Sequence, residues 1–228
     1  MRMFQRFLCV ALLSTSASAL ADMYVDRSIV IFEPGGQSRQ DVKVTNTGDD
    51  TLYVKIDVLR VENPGSDIEK RVKITDPNDL KLVATPSKMA IPAGGQKLER
   101  IVNLQAKNAT ERVYRINVTP IVPPLQDKTS QLRIVVAYQI LAIVQPDDPH
   151  SRLVAQRDGK KISFSNSGNT NILLSEGKQC SPTDKQECQD LASRRLYAGN
   201  SWQLDLPYDA PVTFSVRSFD GVKTQVFP

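Results

Sequence analysis

Leu132-Arg133-Ile134-Val135-Val136-Ala137-Tyr138-Gln139-Ile140-Leu141-Ala142-Ile143-Val144 is a thirteen-residue run in which only Arg133 and Gln139 are polar. β-Branched residues dominate it, and Pro146 ends it. Length alone would permit a helix, but the Ile and Val content argues for a strand. At about 3.3 Å per residue such a strand would span roughly 43 Å, about twice the usual length. Successive side chains alternate between faces, so Leu132, Ile134, Val136 and Tyr138 share one and Arg133, Val135, Ala137 and Gln139 the other. A central core strand explains part of this run, because both faces of its second half are apolar. An edge strand explains more: proteins normally avoid long apolar edges, and one that is kept should serve a partner that adds by β-augmentation.

Outward from this run, the chain alternates short β-rich segments with turn clusters. Ser28–Phe32 precedes Glu33-Pro34-Gly35-Gly36, and Val42-Lys43-Val44 precedes Asn46-Thr47-Gly48. Leu52, Val54, Ile56 and Val58 lie on one face of a strand, as do Tyr114, Ile116 and Val118 within Glu111–Pro120. This spacing predicts an all-β chain built of sandwiches. Helical periodicity is scarce, and Asp184–Arg195 is the best helix candidate. Val44–Leu52 and Phe164–Ile172 resemble each other at an offset of 120 residues, each a strand running into an Asn-x-Gly turn. The break falls at Gln145-Pro146-Asp147-Asp148-Pro149-His150. It predicts a first domain over 22–146 and a second over 150–228, the latter opened by a hairpin at Arg157-Asp158-Gly159-Lys160. A domain as small as the second gains from a covalent staple.

The N-terminus predicts a compartment. Arg2 and Arg6 form a basic start, Phe7–Leu13 is a short apolar core, and Ala19-Leu20-Ala21 fits a small-x-small cleavage site. Residues 1–21 therefore read as a signal peptide rather than a membrane span, and no later run approaches the ~20 apolar residues a span needs. Removing the leader lowers the formal charge from +4 to about +2. Charges of both signs are mixed along the chain with no basic stripe, which argues against nucleic-acid binding. Of three cysteines, Cys9 lies in the leader. Cys180 and Cys188 remain as an even pair in an oxidising compartment, which predicts one disulfide. With no histidine nearby they make a poor metal site.

Chemistry is sparse. The single histidine, His150, sits in the interdomain break, and no Gly-x-Ser-x-Gly elbow, His-Glu-x-x-His, phosphate loop or calcium loop is present. No cofactor and no catalytic group is indicated. Asp147 and Asp148 read as solvated linker residues. Trp202 and Tyr208 are the residue types of a sugar site, yet a lone Trp in a sandwich is usually core. Arg115 begins the strand that precedes the apolar run. If the two form a hairpin, Arg115 lies near the far end of that run and points toward the cleft between domains. A guanidinium there suits a bidentate grip on a carboxylate.

Together Leu82-Val83-Ala84-Thr85-Pro86 through Ile91-Pro92-Ala93-Gly94-Gly95, Arg100-Ile101, Val113-Tyr114-Arg115-Ile116, the long run, Ser165–Asn169 and the cysteine pair resemble the PapD-like periplasmic chaperones of chaperone–usher pilus assembly. The likeness covers the mature chain and is closest to the archaic and alternate branches. It implies two immunoglobulin-like domains set in an L, residence in the periplasm, pilus (fimbrial) subunits and an outer-membrane usher as partners, and no membrane insertion. It implies that Leu132, Ile134 and Val136, with Tyr138, form a donor strand that completes a pilin lacking its last strand. Self-association of the free protein is a further interaction such a strand would permit. Other branches share a cleft Arg on the first strand and a cleft Lys on the donor strand, where this chain has Ile29 and Leu141. The anchor for the subunit's terminal carboxylate must then lie elsewhere: Arg115 first, then Arg100 and Arg27. The competing reading is a secreted structural or adhesive protein of immunoglobulin-like modules.

Overall fold

Alternating burial along each strand builds two sandwiches, one on each side of the proline-bearing linker. The structure is a computed structural model that describes residues 23–105, 107–122 and 135–228. The expected leader, together with Leu132 and Ile134, lies outside the described residues. In the first half the strands are β1 (Met23–Val25), β2 (Ile29–Phe32), β3 (Arg39–Asn46), β4 (Leu52–Glu62), β5 (Lys70–Lys73), β6 (Leu82–Thr85), β7 (Lys88–Ile91), β8 (Gln96–Asn103), β9 (Arg112–Pro120) and β10 (Tyr138–Val144). One sheet has the order β1-β3-β8-β6; the facing sheet runs β2-β10-β9-β4-β5, with β7 also on β4. The inward side chains, among them Phe32, Val42, Val44, Val54, Tyr114, Ile116, Val118, Ile140 and Ala142, make one buried core.

The second half holds β11 (Leu153–Asp158), β12 (Lys161–Asn166), β13 (Ile172–Cys180), β14 (Cys188–Leu191), β15 (Arg194–Leu196), β16 (Ser201–Asp205), β17 (Val212–Ser218) and β18 (Gly221–Phe227). Sheet β11-β12-β16 faces sheet β14-β13-β17-β18, with β15 also on β13. Phe164 is the centre of its core, stacked on Trp202 at 5.8 Å and edge-on to Phe214 and Phe227 at 5.5 and 4.9 Å. Such aromatic geometry adds to plain burial, and it makes Trp202 a core residue. Among the described residues no helix is long and apolar enough to cross a membrane.

Three expectations change. The helix candidate at Asp184–Arg195 is β14 and β15 instead. Cys180 and Cys188 face each other directly across β13 and β14 and are disulfide-bonded, so the chain returns as a hairpin, and its polar residues suit the edge position. Among the described residues of the apolar run, Val135–Ala137 form no ladder and strand pairing begins at Tyr138. The run is not simply an edge either: β10 lies between β2 and β9, and both faces of Ile140–Val144 are buried, Ile140, Ala142 and Val144 in the first core and Leu141 and Ile143 against Tyr197.

The repeat at an offset of 120 has a structural basis. Asn46 and Asn166 are each 1% exposed. Asn46 Nδ2 donates to the carbonyls of Asp50, Ile91 and Pro92, and its Oδ1 accepts from Gly48 N. Asn166 Nδ2 donates to the carbonyls of Thr170 and Leu196, and its Oδ1 accepts from Gly168 N. Each asparagine thus satisfies carbonyls that a buried turn would otherwise leave unpaired.

Candidate functional site

Register divides β10 into two parts. Leu141–Val144 pairs on one flank with β2, in parallel from Leu141↔Ile29 to Val144↔Phe32, and on the other with β9. The β2 side begins where Leu141 N donates to Ser28 O at 2.9 Å. Tyr138–Ile140 pairs with β9 alone, and Val135–Ala137 carries no ladder. One flank of the run is therefore open from Ile140 back to Val135. At its outer end the side chains are exposed, Val135 by 45% and Val136 by 37%. Val136 shares its parity with Tyr138, Ile140, Ala142 and Val144, so it continues the core-facing row beyond the end of the sheet. Tyr138 belongs to its own domain: it packs on the first core, and its hydroxyl donates to Met23 O at 3.0 Å.

The opposite parity faces the second domain. Leu141 lies across from Arg115 on one side and Ile29 on the other, and Arg115 lies across from Leu59 on β4. Ile29, Leu141, Arg115 and Leu59 thus form one row on the outer face. Arg115 Nε is buried without a hydrogen-bond partner. The next row, Ile143, Val113 and Val61, packs with Leu141 against Tyr197 of the second domain. Ile29 and Leu141 are thus direct neighbours across the ladder, and both are apolar.

Arg100 and Arg27 are not brought to this row. Arg100, on β8 of the other sheet, makes a two-pronged pair with Asp41 at 2.8 and 2.9 Å; that bond pulls the Asp41 carboxyl below its usual range. Arg27 precedes β2 and turns to Asp26 at 3.3 Å.

Two seams fix the cleft. In one, Glu111 Oε2 accepts from Thr170 Oγ1 at 2.7 Å, Asn171 N at 2.9 Å and Asn171 Nδ2 at 2.5 Å, while Glu111 N donates to Asn169 O. Asn171 Oδ1 in turn accepts from the Arg195 guanidinium. In the other, Asn200 Nδ2 donates to Pro64 O at 2.8 Å. There Gly65, at φ +73°, lies so close that an added Cβ would meet Asn200 Nδ2 at 2.7 Å and Tyr197 Cδ2 at 2.9 Å. The sequence offered no signal for Glu111, Arg195, Tyr197 or Gly65, because each acquires its role from a residue of the other domain. Among the described residues no group of three or more His, Cys, Asp or Glu side chains is placed to hold a metal ion.

Residues 22–150 match the family described as pili and flagellar-assembly chaperone, PapD N-terminal domain. Two Escherichia coli fimbrial proteins are similar over most of their length. One, of CFA/I fimbriae, is 31% identical over 195 residues, covering 81% of each chain. The other, of CS1 fimbriae, is 27% identical over 198 residues, covering 82% of each. Among solved structures, the class 5 fimbriae chaperone CfaA aligns over 90% of this chain and 99% of its own, with TM-score 0.64 and 23% identity. The complex of Salmonella enterica SafA pilin with the SafB chaperone contains a chain that aligns over 92% of this one and 98% of its own, with TM-score 0.65 and 14% identity. These likenesses carry the fold, two immunoglobulin-like β-sandwiches, and the family match over more than half its length makes this chain a member of the PapD-type pili and flagellar-assembly chaperones.

Proposed function

We propose that this chaperone works in the periplasm by lending its 132–140 run, whose flank is open over 135–140, to fimbrial subunits and passing them to an outer-membrane usher. The observation that carries this reading is the divided register of β10. A guest strand laid along the open flank gains backbone hydrogen bonds that the chaperone's own sheet leaves unmade. Leu132, Ile134 and Val136 then enter the guest's core, each contributing about 1.5–3 kcal/mol on full burial. Tyr138, held by Met23, marks where the run becomes the chaperone's own core.

The guest cannot extend past Leu141, because β2 occupies that flank from there on. Its end therefore arrives at the row that contains Arg115, which lies across from Leu141 on one side and Leu59 on the other. We assign Arg115 as the anchor of the subunit's terminal carboxylate. The domains are 22–146 and 150–228, following a cleaved leader at 1–21, and the action is binding rather than catalysis. His150 is exposed in the linker, where its ring approaches only Asp148 O at 3.4 Å.

The test is capture. The protein is co-expressed with the secreted proteins encoded beside it, isolated by affinity, and its companions are identified by mass spectrometry. Changing Leu132, Ile134 and Val136 together to Asp should abolish co-purification while thermal unfolding of the chaperone is unchanged. Undiminished capture by the triple variant would refute strand donation.

A further inference from the structure

The second domain presents cations of its own to the cleft. On the outer face of its larger sheet, Arg195 lies across from Leu173, and Leu173 lies across from Arg217. Arg195 and Arg217 thus share a row, as Arg115 does with Leu141 and Leu59 on the facing domain. None of the three arginines has a carboxylate within ion-pair distance among the described residues. Arg195 is half-buried, and its guanidinium is aimed by Asn171 Oδ1, which is itself fixed by the Glu111 seam. Glu111 is linked to Arg195 through Asn171. Its Oε2 is taken by Thr170 and Asn171, and its Oε1 accepts no hydrogen bond. Burial, with Arg217 and Arg115 nearby, makes Arg195 harder to keep charged than an ordinary arginine. Like charges gathered in a partly apolar cleft repel strongly, and they attract an anion with the same strength.

We propose that Arg195 is a second, positioning guanidinium of the carboxylate site begun by Arg115, so that the terminus of a client chain is held across both domains, with Arg217 at the mouth. This rests on the strand-donating reading and adds to it a grip from the second domain. A carboxylate has two oxygens and about four acceptor positions, enough for two guanidinium forks on opposite walls. Apolar neighbours on the first wall and Tyr197 on the second thin the water around the pair, and each hydrogen bond gains strength.

The site can be tested without knowing the client. Nitrogen-15 spectra of the intact mature protein report each arginine Nε–H. The probes are a short N-acetylated peptide of alternating Thr and Val with a free C-terminal carboxylate, the same peptide as its C-terminal amide, and inorganic phosphate. The free acid should shift Arg115 and Arg195 together with one dissociation constant. That constant should rise about tenfold for the amide, for Arg115→Gln and for Arg195→Gln, and only about two- to threefold for Arg217→Gln. Arg195→Lys, which keeps the charge but not the fork, should recover part of the loss. A silent Arg195 beside a responding Arg115, or equal binding of acid and amide, would overturn the proposal. So would phosphate matching the peptide at every arginine, the result for an adventitious ion only. Subunit capture separates the two levels. If the wild type captures no secreted subunit, the chaperone reading fails; if wild type and Arg195→Gln capture equally, only the second anchor fails.

Discussion

Glu99 on β8 points into the first sandwich beside Val42 and is fully buried, with neither carboxyl oxygen hydrogen-bonded. Burial alone pushes its pKa from 4.5 to about 8. The folded state therefore binds one more proton than the unfolded chain between those two values, and stability must fall as pH rises through that window. It is full below about pH 4.5, declines by about 1.4 kcal/mol per pH unit, and levels off above about pH 8. The total is about 5 kcal/mol, of which about 3 kcal/mol is already lost at pH 7. That is a large share of the ~5–15 kcal/mol that holds a typical domain together. Glu99→Gln keeps the shape and abolishes the titration. At pH 7 it should raise the unfolding temperature of the first domain by about 6–12 °C, at the ~2–4 °C per kcal/mol usual for chains of this size. The gain should vanish near pH 4.5, grow up to about pH 8 and stay level above it. Glu99→Met also removes the unsatisfied polar atoms and should add about 1–3 kcal/mol at every pH. Scanning calorimetry between pH 4.5 and 9 on the three proteins decides it. Parallel stability curves for wild type and Glu99→Gln would mean that Glu99 does not change protonation on folding, and the argument from its burial would be wrong.

Gly65→Ala forces a side chain into the second interdomain seam at φ +73°. The left-handed backbone costs about 1–2 kcal/mol and the collision with Asn200 and Tyr197 about 1–3 kcal/mol more. The seam should then loosen, with faster proteolysis of the 145–152 linker; an unchanged digestion rate would show that the seam tolerates a methyl group. Replacing Cys180 and Cys188 with Ser opens a loop of sequence separation 8. The chain-entropy relation puts the loss at about 2.5 kcal/mol. Chemical denaturation should place that loss in the second domain alone, and an equal drop in the first domain would contradict two independent cores.

Much of this fold is legible from period-two patterning. Leu52–Val58, Tyr114–Val118 and the Asn-x-Gly turns at 46 and 166 all fall where alternation and turn chemistry put them, because each depends on contacts within one sheet or one turn. The misread segment, Asp184–Arg195, has no alternation to read. Its strand conformation is imposed by the bond from Cys188 to Cys180 and by pairing with β13, and both partners lie outside the segment.

The candidate site was legible on one wall only, and the reason is topological. Arg115, Leu141 and Ile29 come together through ladder register, and register can be inferred by counting along a hairpin from a fixed end such as Pro146. No count reaches Arg195, because its place at the cleft is set by the packing of one domain on the other, through Glu111, Asn171, Gly65 and Tyr197. The change along the apolar run has a related reason. Composition reports that Val135 and Ile143 are equally suited to a strand, but only the position of β2 determines that the second is buried between two neighbours while the first keeps a free flank. A strand that is core at one end and unpaired at the other has a built-in limit on how far a guest can advance. That limit coincides with the arginine row because the register that starts β2 at Ile29 also sets Arg115 across from Leu141.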